Sequence, residues 1–132
     1  MADLFSGAIE TLSDSLSGLS WRQRVLSHNI SNAETPGFKR REVRFEAILQ
    51  QRAQQAANVA GSDGGENDEA PVTQPFAPEI VTVNAPSRRA DGNNVNIEAQ
   101  MSQLLETELS YGAASQMLSR KLAGLKAIID GR

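Results

Sequence analysis

Apolar residues recur at helical spacing most clearly at the two ends of the chain. From residue 3 to 31 they fall at Phe5, Ile9, Leu12, Leu16, Leu19, Leu26 and Ile30. The steps alternate between four and three, and only Gln23 breaks the heptad series. This predicts one long helix, with Asp3 as its N-cap. Its end is also legible. Ser31-Asn32 offers polar termination, Thr35 is pushed toward extended backbone by the proline after it, and Pro36-Gly37 suits the two central positions of a type II turn. Residues 96 to 129 predict a second helix. Its seam runs Ile97, Met101, Leu104, Glu108, Tyr111, Ser115, Leu118, Leu122, Leu125 and Ile129, with eight of ten positions apolar or aromatic. Asn96 is its N-cap, Glu98 sits favourably in the first turn, and Gly131 marks the stop. Leu105, Leu109, Ala113 and Met117 add a second row beside the seam. The apolar face is therefore wider than a two-stranded coiled coil needs, which points to more than one helical neighbour.

The first helix is weak by itself. It carries Ser6, Ser13, Ser15, Ser17, Ser20, Ser27, Gly7 and Gly18. Serine and glycine each lose from several tenths to about 1 kcal/mol against alanine inside a helix. A strong seam on poor propensity implies a segment that needs a partner to stay folded.

The middle reads differently. Lys39, Arg40, Arg41, Arg44 and Arg52 make it basic at first, and Val43 and Phe45 alternate with charges as in a short strand. Residues 45 to 57 read equally well as a helix. Residues 58 to 70 are rich in Gly, Asp, Glu and Asn, a flexible loop by composition. Pro71, Pro75, Pro78 and Pro86 hold the next stretch extended, with Ile80-Val81-Thr82-Val83 as a candidate strand. Asp91-Gly92-Asn93-Asn94 forms the turn into the last helix. The expected fold is mainly α: the N- and C-terminal helices pair as a coiled coil around a partly disordered, extended middle with short strands. The expected parts are residues 1–32 (helix), 33–57 (turn and extended or helical segment), 58–90 (linker) and 91–132 (helix), with 1–32 and 91–132 forming one layer.

Composition narrows the function. The chain has 132 residues, 13 Lys+Arg against 16 Asp+Glu, no Cys and one His. Disulfides, thiolate metal sites and Cys nucleophiles are excluded. The net charge of -3 argues against nucleic-acid binding by bulk charge. Leu, Ile, Val and Phe make up about 23% of the chain, just above the level where disorder becomes the default. His28 reads as a polar residue at a helix C-terminus, not as a general base, because nothing nearby supplies a nucleophile. Asp63, Glu66, Asp68 and Glu69 lack the spacing of a calcium loop and read as a solvated loop. The basic run at Lys39-Arg40-Arg41 is interrupted by Glu42 and Glu46 and reads as solvated or partner-facing. No phosphate-binding, dinucleotide, hydrolase or zinc-protease motif is present. The expectation is a non-enzymatic chain with no cofactor, metal, nucleic acid or small-molecule substrate. No run of 18 apolar residues exists, so no membrane insertion is expected. Met1-Ala2-Asp3-Leu4-Phe5 lacks the basic start and apolar block of a cleaved signal.

Asn29-Ile30-Ser31-Asn32-Ala33-Glu34-Thr35-Pro36-Gly37-Phe38-Lys39 resembles the N-terminal signature of bacterial flagellar rod and hook proteins, roughly N-I-A-N-x-x-T-P-G-[YF]-K. Ser31 stands for the usual alanine and Phe38 for the commoner tyrosine. Asp91-Gly92-Asn93-Asn94-Val95, followed by Glu98, Met101 and Tyr111, is similar to the proximal rod branch of that axial family, as is the short length. The resemblance covers about residues 4 to 52 and 90 to 130. It implies a structural rod subunit that pairs its terminal helices and stacks helically on itself. It further implies torque transmission across the periplasm in support of motility. FlgC and FlgF are implied as neighbours, FliE as adaptor, and the flagellar type III apparatus as the export route, without signal cleavage. Asn29, Ile30, Asn32, Thr35, Pro36 and Gly37 would then form the helix stop and turn, with Phe38 and Lys39 continuing toward adjacent subunits. Leu12, Leu16, Leu19, Leu26 and Ile30 would pack on Leu104, Tyr111, Leu118, Leu122, Leu125 and Ile129. The alternative is a soluble coiled-coil adaptor or chaperone of a type III secretion system, stably helical alone.

Overall fold

The structure, a computed structural model, describes residues 2–61 and 74–131. In chain order the elements are α1 (Ala2–Ser31), β1 (Arg41–Arg44), α2 (Glu46–Gly61), β2 (Glu79–Thr82) and α3 (Ile97–Ile129). At about 1.5 Å per residue, α1 and α3 are rods of about 45 and 50 Å. They pack along each other and run antiparallel. Asn29 hydrogen-bonds Gln100 near one end, and the Lys121 ammonium lies 5.8 Å from the Phe5 ring centroid near the other. The fold is mainly α, as the two heptad stretches imply. Among the described residues, no helix is long and apolar enough to cross a membrane.

Of the two readings for residues 45 to 57, the helix is correct, and it runs on to Gly61, past the expected boundary at 57. Both candidate strands form and pair antiparallel, Arg41 opposite Thr82 and Arg44 opposite Glu79. The acidic loop lies largely in residues 62–70, outside the described residues.

α2 folds back along α1. Arg22 pairs with Glu46 at one end, and Arg52 reaches Glu10 at 3.2 Å and Asp14 at 3.1 Å further along. The buried apolar cluster lies here, between α1 and the strands. It consists of Leu19, Val25, Val43 and Phe45, with Leu49 and Phe76 packed against it. Phe45 meets Phe76 edge-on at 6.3 Å and carries the Arg22 guanidinium 4.6 Å above its ring. Gly18 makes this possible. A Cβ there would stand 2.5–2.8 Å from three Phe45 ring carbons. Gly18 is therefore not only a weak helix former but the notch that seats Phe45. Gly18→Ala gains about 1 kcal/mol of helix propensity but forces the ring outward, which costs about 1–3 kcal/mol. Urea unfolding is expected to show a net loss, against the gain that propensity alone would give.

Two carboxylates on this face titrate in opposite directions. At Glu46 burial raises the pKa, but the Arg22 hydrogen bond and backbone donors outweigh it and hold the group below its ordinary value. Its contribution is therefore present above the ordinary glutamate range and is lost as pH falls through the lowered folded value. At Asp14 burial dominates over the attraction of Arg52 and raises the pKa. Folded Asp14 thus holds its proton longer than in the unfolded chain, and its contribution weakens as pH rises through the raised value. Both groups keep solvent contact, so each effect is under about 1 kcal/mol. Glu46→Gln is expected to flatten the acid side of the stability–pH curve, and Asp14→Asn is expected to leave that decline in place.

Candidate functional site

The segment linking α1 to β1 and the segment leading into α3 fold against each other, held largely by asparagine side chains. Asn29 is fully buried. Its amide donates to Arg41 O at 2.8 Å and Gln100 Oε1 at 2.7 Å, while its Oδ1 accepts from Arg41 N at 2.9 Å. One side chain thus closes the free edge of β1 and ties α1 to α3. Arg22 completes that edge by donating to Val43 O at 3.0 Å. An edge so covered is poorly available for strand pairing.

Asn93 is almost fully buried. It donates to Asn32 O at 2.9 Å and Thr35 O at 2.8 Å, and its Oδ1 accepts from Val95 N at 2.8 Å. These two carbonyls also accept from Thr35 N and Phe38 N, so Asn93 adds a second donor to each from the other end of the chain. Asn94 works in the same way. Its Oδ1 accepts from Arg40 N at 2.7 Å, and its amide donates to Val83 O at 2.7 Å. Asn96 caps α3 by accepting from Ala99 N at 3.1 Å. The amide is the side chain suited to this work, because it donates and accepts at once.

The turn itself has the expected form. Phe38 N donates to Thr35 O at 3.3 Å, and Gly37 lies at φ +72, which a type II turn requires at that position. Gly37 N donates to Asp91 O at 2.8 Å. Gly92, at φ +79, is the corresponding bend on the other segment. Lys39 Nζ donates to Gly92 O at 2.6 Å. Arg89 donates to Ala33 O at 2.8 Å and reaches Glu34 and Asp91. The hydrogen bond to Glu34 raises the Arg89 pKa, against desolvation and with help from Asp91. Asn32 and Thr35 close the helix end locally: Asn32 Nδ2 donates to His28 O at 2.8 Å, and Thr35 Oγ1 lies 3.2 Å from Asn32 Oδ1. Phe38 rests on His28 with ring centroids 5.6 Å apart. Pro36 is exposed.

The structure brings the signature residues Asn29, Asn32, Thr35, Gly37 and Lys39 together with Asp91, Gly92, Asn93 and Asn94. The seam residues fall into two groups. Leu19 and Leu26 are buried, and Leu12, Leu16, Ile30, Leu104, Leu118 and Leu125 are half-buried. Tyr111 lies at the margin, whereas Leu122 and Ile129 are 49% and 79% exposed. α3 faces α1 along Gln100, Leu104, Thr107, Tyr111, Ala114, Leu118, Lys121 and Leu125. Every second heptad position is one residue earlier than the apolar reading placed it. Three of those places are polar, Gln100, Thr107 and Lys121, and the fourth is Ala114. Gln100 bonds Asn29, and the Thr107 hydroxyl bonds Gln103 O at 2.7 Å. Sequence reasoning passed over Gln100, Thr107, Arg22 and Arg89. The hydrophobic pattern carries no signal for any of them.

A shallow groove of about 410 Å³ runs between β1 and α3, lined by Arg22, Arg41, Arg44, Glu46, Glu106 and Thr107 among others. Its charges are largely paired within the chain, Arg22 with Glu46 and Arg44 with Glu42.

No protein-family model matches the chain. Among curated proteins it is similar to the flagellar basal body rod protein FlgB of Aeromonas hydrophila, 31% identical over 134 residues that cover 99% of this chain and 98% of the relative. The chain belongs to the FlgB family of flagellar basal-body rod proteins. FlgB of Bacillus subtilis (strain 168) is 29% identical over 128 residues, with 97% of both chains covered. FlgB of Escherichia coli (strain K12) is 27% identical over 136 residues, with 98% of both covered. Similarity thus spans the helices, the stapled turn and the segment between them. Membership makes this FlgB-type chain a structural component of the flagellar basal body that associates with other rod components.

Proposed function

We propose that this subunit occupies the proximal rod, stacks helically on itself and on rod neighbours, and transmits torque across the periplasm. The observation that carries the reading is the closed junction at one end of the α1–α3 pair. Asn29, Asn93 and Asn94 fix where the chain leaves the helix pair and where it returns, so the pair behaves as one rigid strut. A strut that carries load needs its two ends locked in register, and buried amide networks supply that specificity. FlgC and FlgF are the proposed rod neighbours and FliE the adaptor at the cell-proximal end. Export through the flagellar type III apparatus, without signal cleavage, fits a first helix rich in Ser and Gly that is marginal outside the assembly. Phe38 and Lys39 would lead the chain outward to adjacent subunits.

Leu118 lies half-buried on the α1 side of α3. Leu118→Asp places a carboxylate in that seam. In a strain carrying only this variant, swimming and recoverable rods should fall to background while synthesis continues, as read by soft-agar spreading, basal-body purification and immunoblot. Normal motility with intact rods would overturn the helix-pair role.

A further inference from the structure

Asp91-Gly92 carries a reaction that the rest of the junction restrains. An aspartate followed by glycine is open to attack on its own side chain, because no Cβ shields the glycine nitrogen. The Gly92 nitrogen adds to Asp91 Cγ, its proton and the carboxyl hydroxyl leave together as water, and a cyclic succinimide closes. Water then opens the ring. Opening at Cγ restores aspartate. Opening at the Asp91 main-chain carbonyl leaves the chain running through Cγ, an isoaspartyl link. Water is the only co-reactant. The sequence holds three such pairs, at residues 63–64, 91–92 and 130–131, and the first lies outside the described residues.

In the fold the reacting groups at Asp91 are tied down. Asp91 Oδ1 accepts from Asn93 N at 3.1 Å, and Oδ2 accepts from Arg89 Nη2 at 3.0 Å. Gly92 N donates to Arg89 O at 3.2 Å. Asp91 O is held by Gly37 N at 2.8 Å and Gly92 O by Lys39 Nζ at 2.6 Å, so the peptides on both sides of Gly92 are pinned. Asp130-Gly131 is the contrast within the same chain. Gly131 N also donates to a carbonyl, Ile128 O at 3.3 Å. The Asp130 side chain, however, is exposed, and nothing among the described residues holds its carboxylate. The two pairs thus differ in whether the carboxylate is clamped.

We propose that Asp91-Gly92 is a modification site gated by the fold. It isomerises in the unfolded chain, is protected once Arg89 and Asn93 clamp it, and bars a modified chain from closing the junction. The inference goes beyond the rod-subunit reading and does not rest on it. The isoaspartyl link lengthens the main chain by one carbon, about 1.5 Å. It does so just before the residues that staple the two segments. The Asn93 amide has to reach Asn32 O at 2.9 Å and Thr35 O at 2.8 Å, and Lys39 has to reach Gly92 O. A hydrogen bond stretched by that amount is lost. The group that Gly37 N meets also changes, from a neutral carbonyl to a carboxylate. A chain that waits unfolded long enough to convert therefore loses the staple. Conversion of Asp130, past the end of α3, leaves the staple intact.

The full chain is aged at neutral pH in buffer and, separately, in urea. The isoaspartyl content at each site is read by chromatography and fragmentation of peptides against synthetic standards, and far-UV circular dichroism establishes that the buffer sample is folded. In urea, Asp91 and Asp130 should convert at comparable rates. In buffer, Asp91 should convert at least tenfold more slowly than Asp130, because it reacts only from locally opened chains. Arg89→Met should remove much of the protection at Asp91 and leave Asp130 unchanged. Comparable rates at the two sites in the folded parent chain overturn the gating, whatever the variant does. The urea-aged chain is then returned to buffer and treated briefly with protease. The isoaspartyl form of Asp91 should be concentrated several-fold in the digested fraction, and that of Asp130 spread evenly. An even spread of the Asp91 form overturns its effect on the junction. Each of these failures leaves the rod reading standing, because rod membership is read separately from the composition of isolated basal bodies.

Discussion

Phe45→Ala is expected to lower the stability of the chain by about 3–5 kcal/mol. The ring is 4% exposed. It sits in the Gly18 notch, meets Phe76 at its edge and supports the Arg22 guanidinium. Removing it empties the small cluster that fastens α2 and the strands to α1. The cavity cannot collapse easily, because Gly18 offers no side chain to fill it. The loss is large against the total stability of a domain this size, roughly 5–15 kcal/mol. Arg22 also loses the surface it stacks on, so Glu46 and Val43 O keep a less ordered partner. Chemical denaturation with far-UV circular dichroism should show an earlier midpoint. If the midpoint is unchanged, the cluster is not the anchor of the outer layer.

Asn29→Ala should cost about 3 kcal/mol, because several polar groups lose partners in one buried place. Arg41 N–H and C=O, together with Gln100 Oε1, would be left without the Asn29 amide. Asn29→Asp is the sharper variant. It keeps the shape and can still accept from Arg41 N, but its carboxylate would face Arg41 O and Gln100 Oε1. It should therefore be at least as damaging as alanine at neutral pH and recover in part as pH falls and the acid regains a proton. Asn93→Ala should cost less than Asn29→Ala, because the Asn32 and Thr35 carbonyls each keep a backbone donor, Thr35 N and Phe38 N. Beyond stability, the Asn29 variants should cut rod incorporation even where the chain still folds, because the strut's register is lost. Thermal melts across pH, paired with counts of rods per cell, separate the two effects.

Much of this architecture was legible from spacing. The steps of three and four from Phe5 to Ile30 and from Ile97 to Ile129 located both long helices. Thr35-Pro36-Gly37 located the turn and its type, and Val43 and Ile80–Val83 located the strands. Three features were not legible, each for a physical reason. The side of α3 that faces α1 is set by the Asn29–Gln100 hydrogen bond, and a heptad count ranks apolar residues above the polar ones that win those positions. The α2 reading competed with a strand because Val43 and Phe45 alternate while residues 46 onward are rich in Ala and Gln. Only packing of Phe45 against Gly18 decides where one ends and the other begins. Gly18 looked like a propensity defect because a notch is defined by its occupant, here 27 residues away. The asparagines Asn29, Asn32, Asn93 and Asn94 were conspicuous in sequence. Their pairing across the chain depends on the fold that they close.

The proposed role of this chain is that of a structural part of the rod through its α1–α3 strut. Cryo-electron microscopy of hook–basal bodies, isolated from cells with and without the chain, tests it most directly. The expected result is a proximal rod containing an antiparallel pair of helices about 45–50 Å long, joined at the stapled turn, and no completed rod in cells lacking the chain. Complete rods without the chain, or rods in which its helices are separated and unpaired, would contradict it.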